Sequence, residues 1–218
     1  MTGLANSPRL LKNGIVLVDP GSGAVQRVIT LQYNPQTLSR SLQINTIGGD
    51  ADRLMPLRLK GPPVETINLE AELDATDQLE FPDRHPDAVE VGLHPQLAAL
   101  ETMVYPTSAQ LLANNALADS GALEIAPMEA PLTLFVWSKN RVLPVRVTSL
   151  AITEDAFDVA LNPIRAKVSL GLRVLTVDDV PFAHKAAGIF LSHLQQKEGL
   201  SARGAAGELG TLGIGAIP

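Results

Sequence analysis

Carboxylate and imidazole side chains are concentrated between Glu65 and His94. Asp74 and Asp77 precede His85 and His94, and residues of these types could bind a metal ion for hydrolysis, because hard cations take oxygen ligands and transition metals take imidazole. The two histidines are separated by eight residues of a proline-containing segment, so the compact spacing of a ligand motif is missing. A structural role at a strand end is the favoured interpretation of Asp74 and Asp77.

A second acidic group lies in ITEDAFDVALNPIRA and could supply a general acid and a general base. Its carboxylates are Glu154, Asp155 and Asp158. The favoured interpretation is a polar loop that Phe157 and Leu161 pin into the core, followed by an Asn-Pro corner.

Motifs for nucleophilic catalysis and phosphate binding are absent from the sequence. There is no G-x-S-x-G, and β-branched residues follow the Gly-Ser-Gly at residues 21–23 where a phosphate loop would open a helix. His184 and His193 lie nine positions apart on a predicted helix, which is not an i, i+4 ligand pair, so we expect both to be solvated. We predict no enzymatic activity, no metal and no cofactor.

The composition indicates a globular chain whose partner is protein. Its 218 residues are 45% hydrophobic, which is enough for a sizeable core. The net charge of −6 and the aromatic content of 4% argue against nucleic-acid binding. Without cysteine there are no disulfides or thiolate sites. No apolar stretch approaches the roughly 20 residues of a membrane span, and we expect neither membrane binding nor a secretion signal.

Alternating apolar and polar residues predict β-strands along most of the chain. GIVLVDPGSGAVQRVITLQYNP predicts a hairpin with its turn at residues 19–23. Apolar residues occupy alternate positions from Ile67 to Leu73 and again from Val168 to Val174. Each of these two patterns predicts a strand with one buried face.

A second hairpin is predicted from PLTLFVWS and RVLPVRVTSLAIT, with its turn at Lys139-Asn140. The apolar parity of its second strand changes between Val147 and Leu150, which predicts a β-bulge. Trp137 in this hairpin is either a core residue or a buried interface anchor.

The stretch LQYNPQTLSR, residues 31–40, places an Asn-Pro turn between two strand patterns. A residue before proline is biased to an extended conformation, and the side chain of Asn34 can cap the turn that Pro35 fixes. Leu38, Leu42 and Ile44 alternate with polar residues after the turn. The sequence therefore predicts a rigid corner followed by a third strand.

The predicted fold class is mainly β, with two packed antiparallel sheets or a barrel, one flanking helix at about residues 93–105 and a C-terminal helix. The predicted divisions are an arm at 1–13, a β domain at 14–180 with loops at 46–63 and 106–130, the C-terminal helix at 181–198 and a glycine-rich docking tail at 199–218.

Most of the chain, from Gly14 to about Glu198, resembles the tube-like N-terminal domain family of contractile injection systems, phage-tail-like particles that include the antifeeding prophage and the Photorhabdus virulence cassettes. The resemblance rests on VLVDPGSGAVQRVITLQYNPQTLSRSL, LHPQLAALETMVYP, the segment from PLTLFVWS to LGLRVL, and the terminal helix. Its most specific residues lie at the two Asn-Pro corners and in the second hairpin. These corner and interface candidates are Tyr33, Asn34, Pro35, Leu38, Arg40, Trp137, Arg141, Phe157, Asn162, Pro163 and Arg165.

The resemblance implies a domain of tail-tube type that assembles in the cytoplasm as a ring, usually of six copies. It implies a structural baseplate protein that connects inner-tube proteins to the central spike and to the surrounding wedge proteins. Many relatives carry a C-terminal LysM module, whereas the residues after Glu198 are too few and too rich in glycine for one. Two alternatives remain open: an inner-tube subunit that stacks on itself, and a metal-dependent hydrolase that uses the acidic and histidine residues between Asp74 and His94.

Overall fold

The computed structural model describes residues 11–46, 58–120, 130–204 and 209–217. Its strands form one antiparallel sheet of seven, in the order β2-β1-β5-β6-β7-β4-β3. The strands are β1 (Gly14–Val18), β2 (Val25–Thr30), β3 (Leu38–Gln43), β4 (Val64–Asp74), β5 (Leu132–Ser138), β6 (Arg141–Phe157) and β7 (Pro163–Val174). The mainly β, antiparallel prediction is confirmed, and the sheet is not closed, since β2 and β3 are its two edges.

Strand β6 joins the two halves of this sheet. It pairs with β5 through residues 141–145 and with β7 through residues 145–157. The register between β6 and β7 shifts between Val147 and Ser149, where the change in apolar parity predicted a bulge. A bulge bends its strand, so β6 can change direction as it passes from one half of the sheet to the other.

The core lies on the inner face of the curved sheet. In β4 and β7 every second side chain is buried, as the sequence predicts, including Ile67, Leu69, Leu170 and Leu172. Inward residues from both halves of the sheet belong to one cluster, and Phe135 of β5 is fully buried within it. Each large apolar side chain removed from water in this way contributes about 1.5–3 kcal/mol to folding.

Gln32 connects the segment after β2 to the distant strand β4. Its side-chain Oε1 accepts a hydrogen bond from the backbone N of Asp74 (2.8 Å), and its Nε2 donates to the backbone O of Asp74 (2.6 Å). The amide thus pairs with β4 as a strand residue would. This contact requires the sheet to curl until the end of β2 reaches β4.

Five α-helices accompany the sheet in the described residues. They are α1 (Thr76–Leu79), α2 (Pro86–Val91), α3 (His94–Glu101), α4 (Ser108–Asp119) and α5 (Lys185–Ser201). The helices α3 and α5 correspond to the two predicted helices, with Pro95 in the first turn of α3. None of the helices described is long and apolar enough to cross a membrane.

Helix α4 lies where the sequence predicted an irregular loop. A capping box starts it: Thr107 Oγ1 accepts from the backbone N of Gln110 (3.2 Å), and Gln110 Oε1 accepts from the backbone N of Thr107 (3.0 Å). No residue of α4 is buried, so tertiary packing contributes little to it. The rest of the predicted loop, residues 121–129, lies outside the described residues, as do residues 47–57 of the other loop and residues 1–10 of the arm.

Candidate functional site

The edge strands β2 and β3 are the first candidate surface. In the described part of the chain, β2 pairs only with β1 and β3 pairs only with β4. Val25 and Val28 of β2 are exposed, and β3 presents mainly polar side chains. An edge strand offers a row of unpaired backbone donors and acceptors, which another strand can pair with.

The corner between these two edges is held by Asn34. Its Oδ1 accepts hydrogen bonds from the backbone N (3.2 Å) and Nδ2 (2.8 Å) of Asn13, and its Nδ2 donates to the backbone O of Leu11 (2.9 Å). The side chain therefore binds the N-terminal segment and not the turn that it was predicted to cap. Tyr33 lies exposed beside it, whereas Leu38 packs against the core from the start of β3.

Arg40 of β3 is paired with a buried carboxylate. Glu65 occupies the same inner face of β4 as Ile67 and is only 4% exposed. Its Oε1 accepts from Arg40 Nη2 (2.6 Å), and its Oε2 accepts from Lys197 Nζ of α5 (3.3 Å). A single carboxylate thus ties β3, β4 and α5 together at one end of the core.

Arg141 and His193 border the same carboxylate. Burial and the charge of Arg40 lower the pKa of Arg141, while Glu65 opposes that shift. His193 is buried, which corrects the prediction that it is solvated, and neither ring nitrogen has a hydrogen-bond partner among the described residues. His184 instead caps α5, with its Nδ1 accepting from the backbone N of Ala186 (3.1 Å).

The sequence contains a signal for both buried polar residues. Glu65 is in phase with Ile67 and Leu69 on the buried face of β4, and His193 lies three residues after the buried Phe190 on α5. Their positions in these patterns predict burial even though their residue types predict exposure.

Trp137 packs partly buried at the border of the core. Its ring centroid lies 5.9 Å from that of Phe135, with the ring planes at 40°. The sequence left open whether Trp137 is a core residue or an interface anchor. In the structure part of the indole packs against the core and part of it stays accessible.

The second Asn-Pro corner joins β6 to β7. Asp158 Oδ1 accepts from the backbone N of Ala160 (2.7 Å) and of Asn162 (2.8 Å), and Asn162 Nδ2 donates to Asp158 Oδ2 (2.9 Å). These hydrogen bonds, those of Asn162 first, lower the pKa of Asp158. Leu161 adopts φ 66°, a left-handed conformation uncommon for a residue with a β-carbon.

The apolar side chains of this corner point to solvent. Phe157, Val159 and Leu161 are all exposed. The prediction that Phe157 and Leu161 pin a loop into the core is therefore wrong. The reason is that β6 continues to Phe157, so Glu154 and Asp155 lie in a strand and the corner forms beyond the core.

Two hydrogen bonds hold the second corner against the helical segment. Pro163 O accepts from the backbone N of Leu93 (2.8 Å), and Asn162 Nδ2 donates to Glu90 O (3.0 Å). A β-carbon at Gly92 would lie 2.5 Å from Pro163 O, so this close approach requires glycine. The corner and the end of α2 consequently fit closely together.

Arg165 holds the carboxylate that the metal hypothesis would have used. Its Nε lies 3.0 Å from Asp74 Oδ2. Burial opposes ionisation of Asp74, but hydrogen bonds from Thr76 and Arg165 outweigh it and lower the pKa of this carboxyl. Across the described residues, no three His, Asp or Glu side chains converge in an arrangement that could hold a metal ion.

Comparisons with known proteins find similarity to solved structures alone. No family model and no curated protein match the chain. A chain from the tail of an empty gene transfer agent particle, a phage-tail-like system determined by helical refinement with C6 symmetry, is 12% identical with a TM-score of 0.30. The alignment covers 75% of this chain and 90% of that chain. At this TM-score the likeness supports no functional argument.

Proposed function

We propose that this chain is a structural subunit that joins copies of itself edge to edge into a ring at the baseplate of a contractile injection system, where the ring connects the inner tube to the spike and wedges. The observation that carries the proposal is the pair of unpartnered edge strands, β2 and β3, on one sheet in the described residues. The sequence resemblance supplies the class of particle. We assign the chain no catalytic step.

Edge pairing of this kind is heterologous, because β2 of one copy meets β3 of the next. Such a contact produces a ring when the rotation between copies closes and an open filament when it does not. Backbone hydrogen bonds along six-residue edges give the contact its strength, and the side chains beside them fix its register. Six copies is the number that the resemblance implies.

The corner at residues 31–37 sets the geometry of the ring in this proposal. It is the direct connection between the two edge strands, so its conformation fixes the angle between them. Asn34 anchors this corner to the N-terminal segment, and Gln32 anchors it to β4. A rigid angle between the two edges converts strand pairing into a ring of fixed size.

The experiment is to compare assembly of the full chain with assembly of the variant Val28→Lys. Val28 is 61% exposed on β2, and a lysine on an edge strand opposes pairing with another strand. The matched control is Val159→Lys, which introduces the same charge at the exposed second corner. Light scattering after size exclusion and negative-stain electron microscopy report assembly, and thermal melting reports folding.

We expect rings from the parent chain and from Val159→Lys, and monomers from Val28→Lys with an unchanged melting temperature. Equal assembly of all three proteins would contradict edge pairing. If the parent chain alone forms long tubes, it is a self-stacking inner-tube subunit and not an adaptor. If the parent chain stays monomeric at every concentration and forms rings only when other particle proteins are added, edge pairing depends on those proteins.

A further inference from the structure

The second half of β6 has a free strand edge of its own, besides those of β2 and β3. Strand β5 pairs with β6 only as far as Val145, and Ala130 and Pro131, which precede β5, belong to no strand. Beyond Val145, β6 continues to Phe157 and pairs only with β7 in the described residues. The backbone donors and acceptors that point away from β7 over this length therefore have no strand partner in the described part of the chain.

Two bulges limit the regular part of this edge to residues 149–154. The register between β6 and β7 shifts between Val147 and Ser149 and again between Glu154 and Ala156. A bulge interrupts pairing and bends its strand. The free side of residues 149–154, here named the β6 edge, is therefore the part of β6 on which another strand can pair in regular register.

The β6 edge lacks the features that protect strand edges from pairing. Its first five residues, SLAIT, include no charged residue, no proline and no glycine. The other two edges each carry an arginine, Arg27 in β2 and Arg40 in β3. Charged side chains and proline on an edge oppose pairing with another chain, so the β6 edge is the least protected of the three.

The β6 edge is complementary to itself when two copies run antiparallel. Ala151 of one copy can lie opposite Ala151 of the other. In that register Leu150 lies opposite Ile152 on the inner face, where both are partly buried against the core. On the outer face Ser149 lies opposite Thr153. Apolar side chains thus meet on one face and small polar ones on the other, as in stable cross-strand pairs.

The charges at the two ends of the β6 edge also favour the antiparallel direction. Arg146 precedes the edge and Glu154 ends it, and neither forms an ion pair with another described residue. In an antiparallel pair the basic end of one strand lies beside the acidic end of the other. A parallel pair would place like charges at the same end, which costs free energy.

We propose that two copies of this chain pair through the β6 edge, antiparallel and centred on Ala151. The contact is isologous, because a twofold axis between the two strands relates the copies. It uses neither β2 nor β3, so it is a second contact between copies and does not depend on the ring of the proposed function.

The test measures the mass of the full chain carrying Val28→Lys, in which the added charge opposes pairing at β2 and leaves the β6 edge unchanged. Ala151→Lys in this chain places two lysines opposite each other across the twofold axis, and Ala151→Glu does the same with two carboxylates. The matched control is Ser169→Lys, because Ser169 is exposed beside Ala151 but lies on β7, which is paired on both sides. Sedimentation velocity over a range of concentrations gives the dissociation constant, and thermal melting reports folding.

We expect a dimer from the Val28→Lys chain. Ala151→Lys and Ala151→Glu should each raise its dissociation constant about tenfold or more, and Ser169→Lys should leave it unchanged. An equimolar mixture of the Ala151→Lys and Ala151→Glu proteins should restore the dimer, because the opposed charges then attract. Hydrogen exchange should show that the amides of residues 149–153 that point away from β7 become protected as the dimer forms.

A monomer at every concentration would overturn this proposal and leave the ring untouched, since the ring uses only β2 and β3. Equal dissociation constants for Ala151→Lys and Ser169→Lys would also overturn it, as would a mixture of the two Ala151 variants that does not dimerise. Protection of the outward amides in the monomer would overturn it by showing that the same chain covers the β6 edge. A dimer of the Val28→Lys chain beside a parent chain that forms no rings would support this contact and contradict the pairing of β2 with β3.

Discussion

At the residue scale, side-chain amides hold the region between the two edge strands in place. Asn34 supplies three hydrogen bonds to Leu11 and Asn13, and Gln32 supplies two to Asp74. Asn13 is 3% exposed, so its amide depends on Asn34 for an acceptor. An amide group can both donate and accept, which lets one residue link two segments that no regular ladder joins.

Replacing Asn34 with alanine should lower the free energy of unfolding by about 1–3 kcal/mol, because the buried Asn13 then loses its acceptor. Urea denaturation measures this change. The control is Asn115→Ala on the exposed helix α4, for which we expect a change within about 0.5 kcal/mol. Ring assembly should fall further than soluble yield in Asn34→Ala, and an equal fall in both would show that the corner serves folding alone.

Inward and outward positions were predictable at this scale wherever a strand alternates strictly. The buried faces of β4 and β7 follow directly from a period of two. Glu65 and His193 were harder, because their residue types favour solvent and only their phase favours burial. For Phe157 and Leu161 the error was the reverse, because their apolar residue types favoured burial although both are exposed. An apolar side chain carries no information about whether the chain has already passed the core.

Helix α5 is the element that depends most on buried polar groups. It presents Phe190 and His193 to the sheet, and Lys197 reaches Glu65 one turn further along. Burial and the charge of Lys197 lower the pKa of His193, Glu65 opposes the shift, and Arg141 and Arg40 add to it. The surroundings of His193 therefore favour the neutral imidazole over the charged one.

The free energy of unfolding should fall as the pH drops below about 6.5, the ordinary pKa of histidine. The unfolded chain then binds a proton at His193 that the folded chain resists, and stability decreases wherever the unfolded state binds more protons. This contribution is complete above the unfolded pKa of His193 and is lost as the pH falls toward its lower folded pKa.

Urea denaturation between about pH 5.5 and 7.5 measures the dependence. His193→Gln should flatten the curve over this interval, whereas His85→Gln, at an exposed position, should leave it unchanged. A parent slope that persists in His193→Gln would assign the pH dependence to other groups.

The elements themselves were predictable to different degrees. Hairpins with short turns, such as β5–β6 around Lys139 and Asn140, follow from local chemistry. Helix α4 was missed because its alanine and asparagine content lacks an apolar stripe, and its capping box at Thr107 and Gln110 is a local signal that was available. The length of β6 was missed because it continues past the buried region.

The order of the strands belongs to the scale of the whole molecule. The middle strands β5, β6 and β7 come from the second half of the chain, and the two edges β2 and β3 are consecutive in sequence. Alternation indicates which residues are buried, but it carries no information about which strand lies beside which. The curl of the sheet depends on long-range contacts, such as that of Gln32 with Asp74, which residue spacing does not encode.

The segment after α5 is predicted to matter for assembly and not for folding. Leu212, Ile214 and Ile217 are exposed, and apolar side chains that the subunit does not bury can be covered by a neighbour. Truncation after Gly204 should change the melting temperature by less than about 2 °C, since little core is lost, while incorporation into rings formed with the full-length chain falls sharply. The full-length variant with serine at these three positions should be excluded from rings to the same extent, which separates loss of apolar contacts from loss of chain length. Light scattering and mass spectrometry of mixed rings measure incorporation, and truncated protein that enters rings as readily as the intact chain would show that this segment is dispensable.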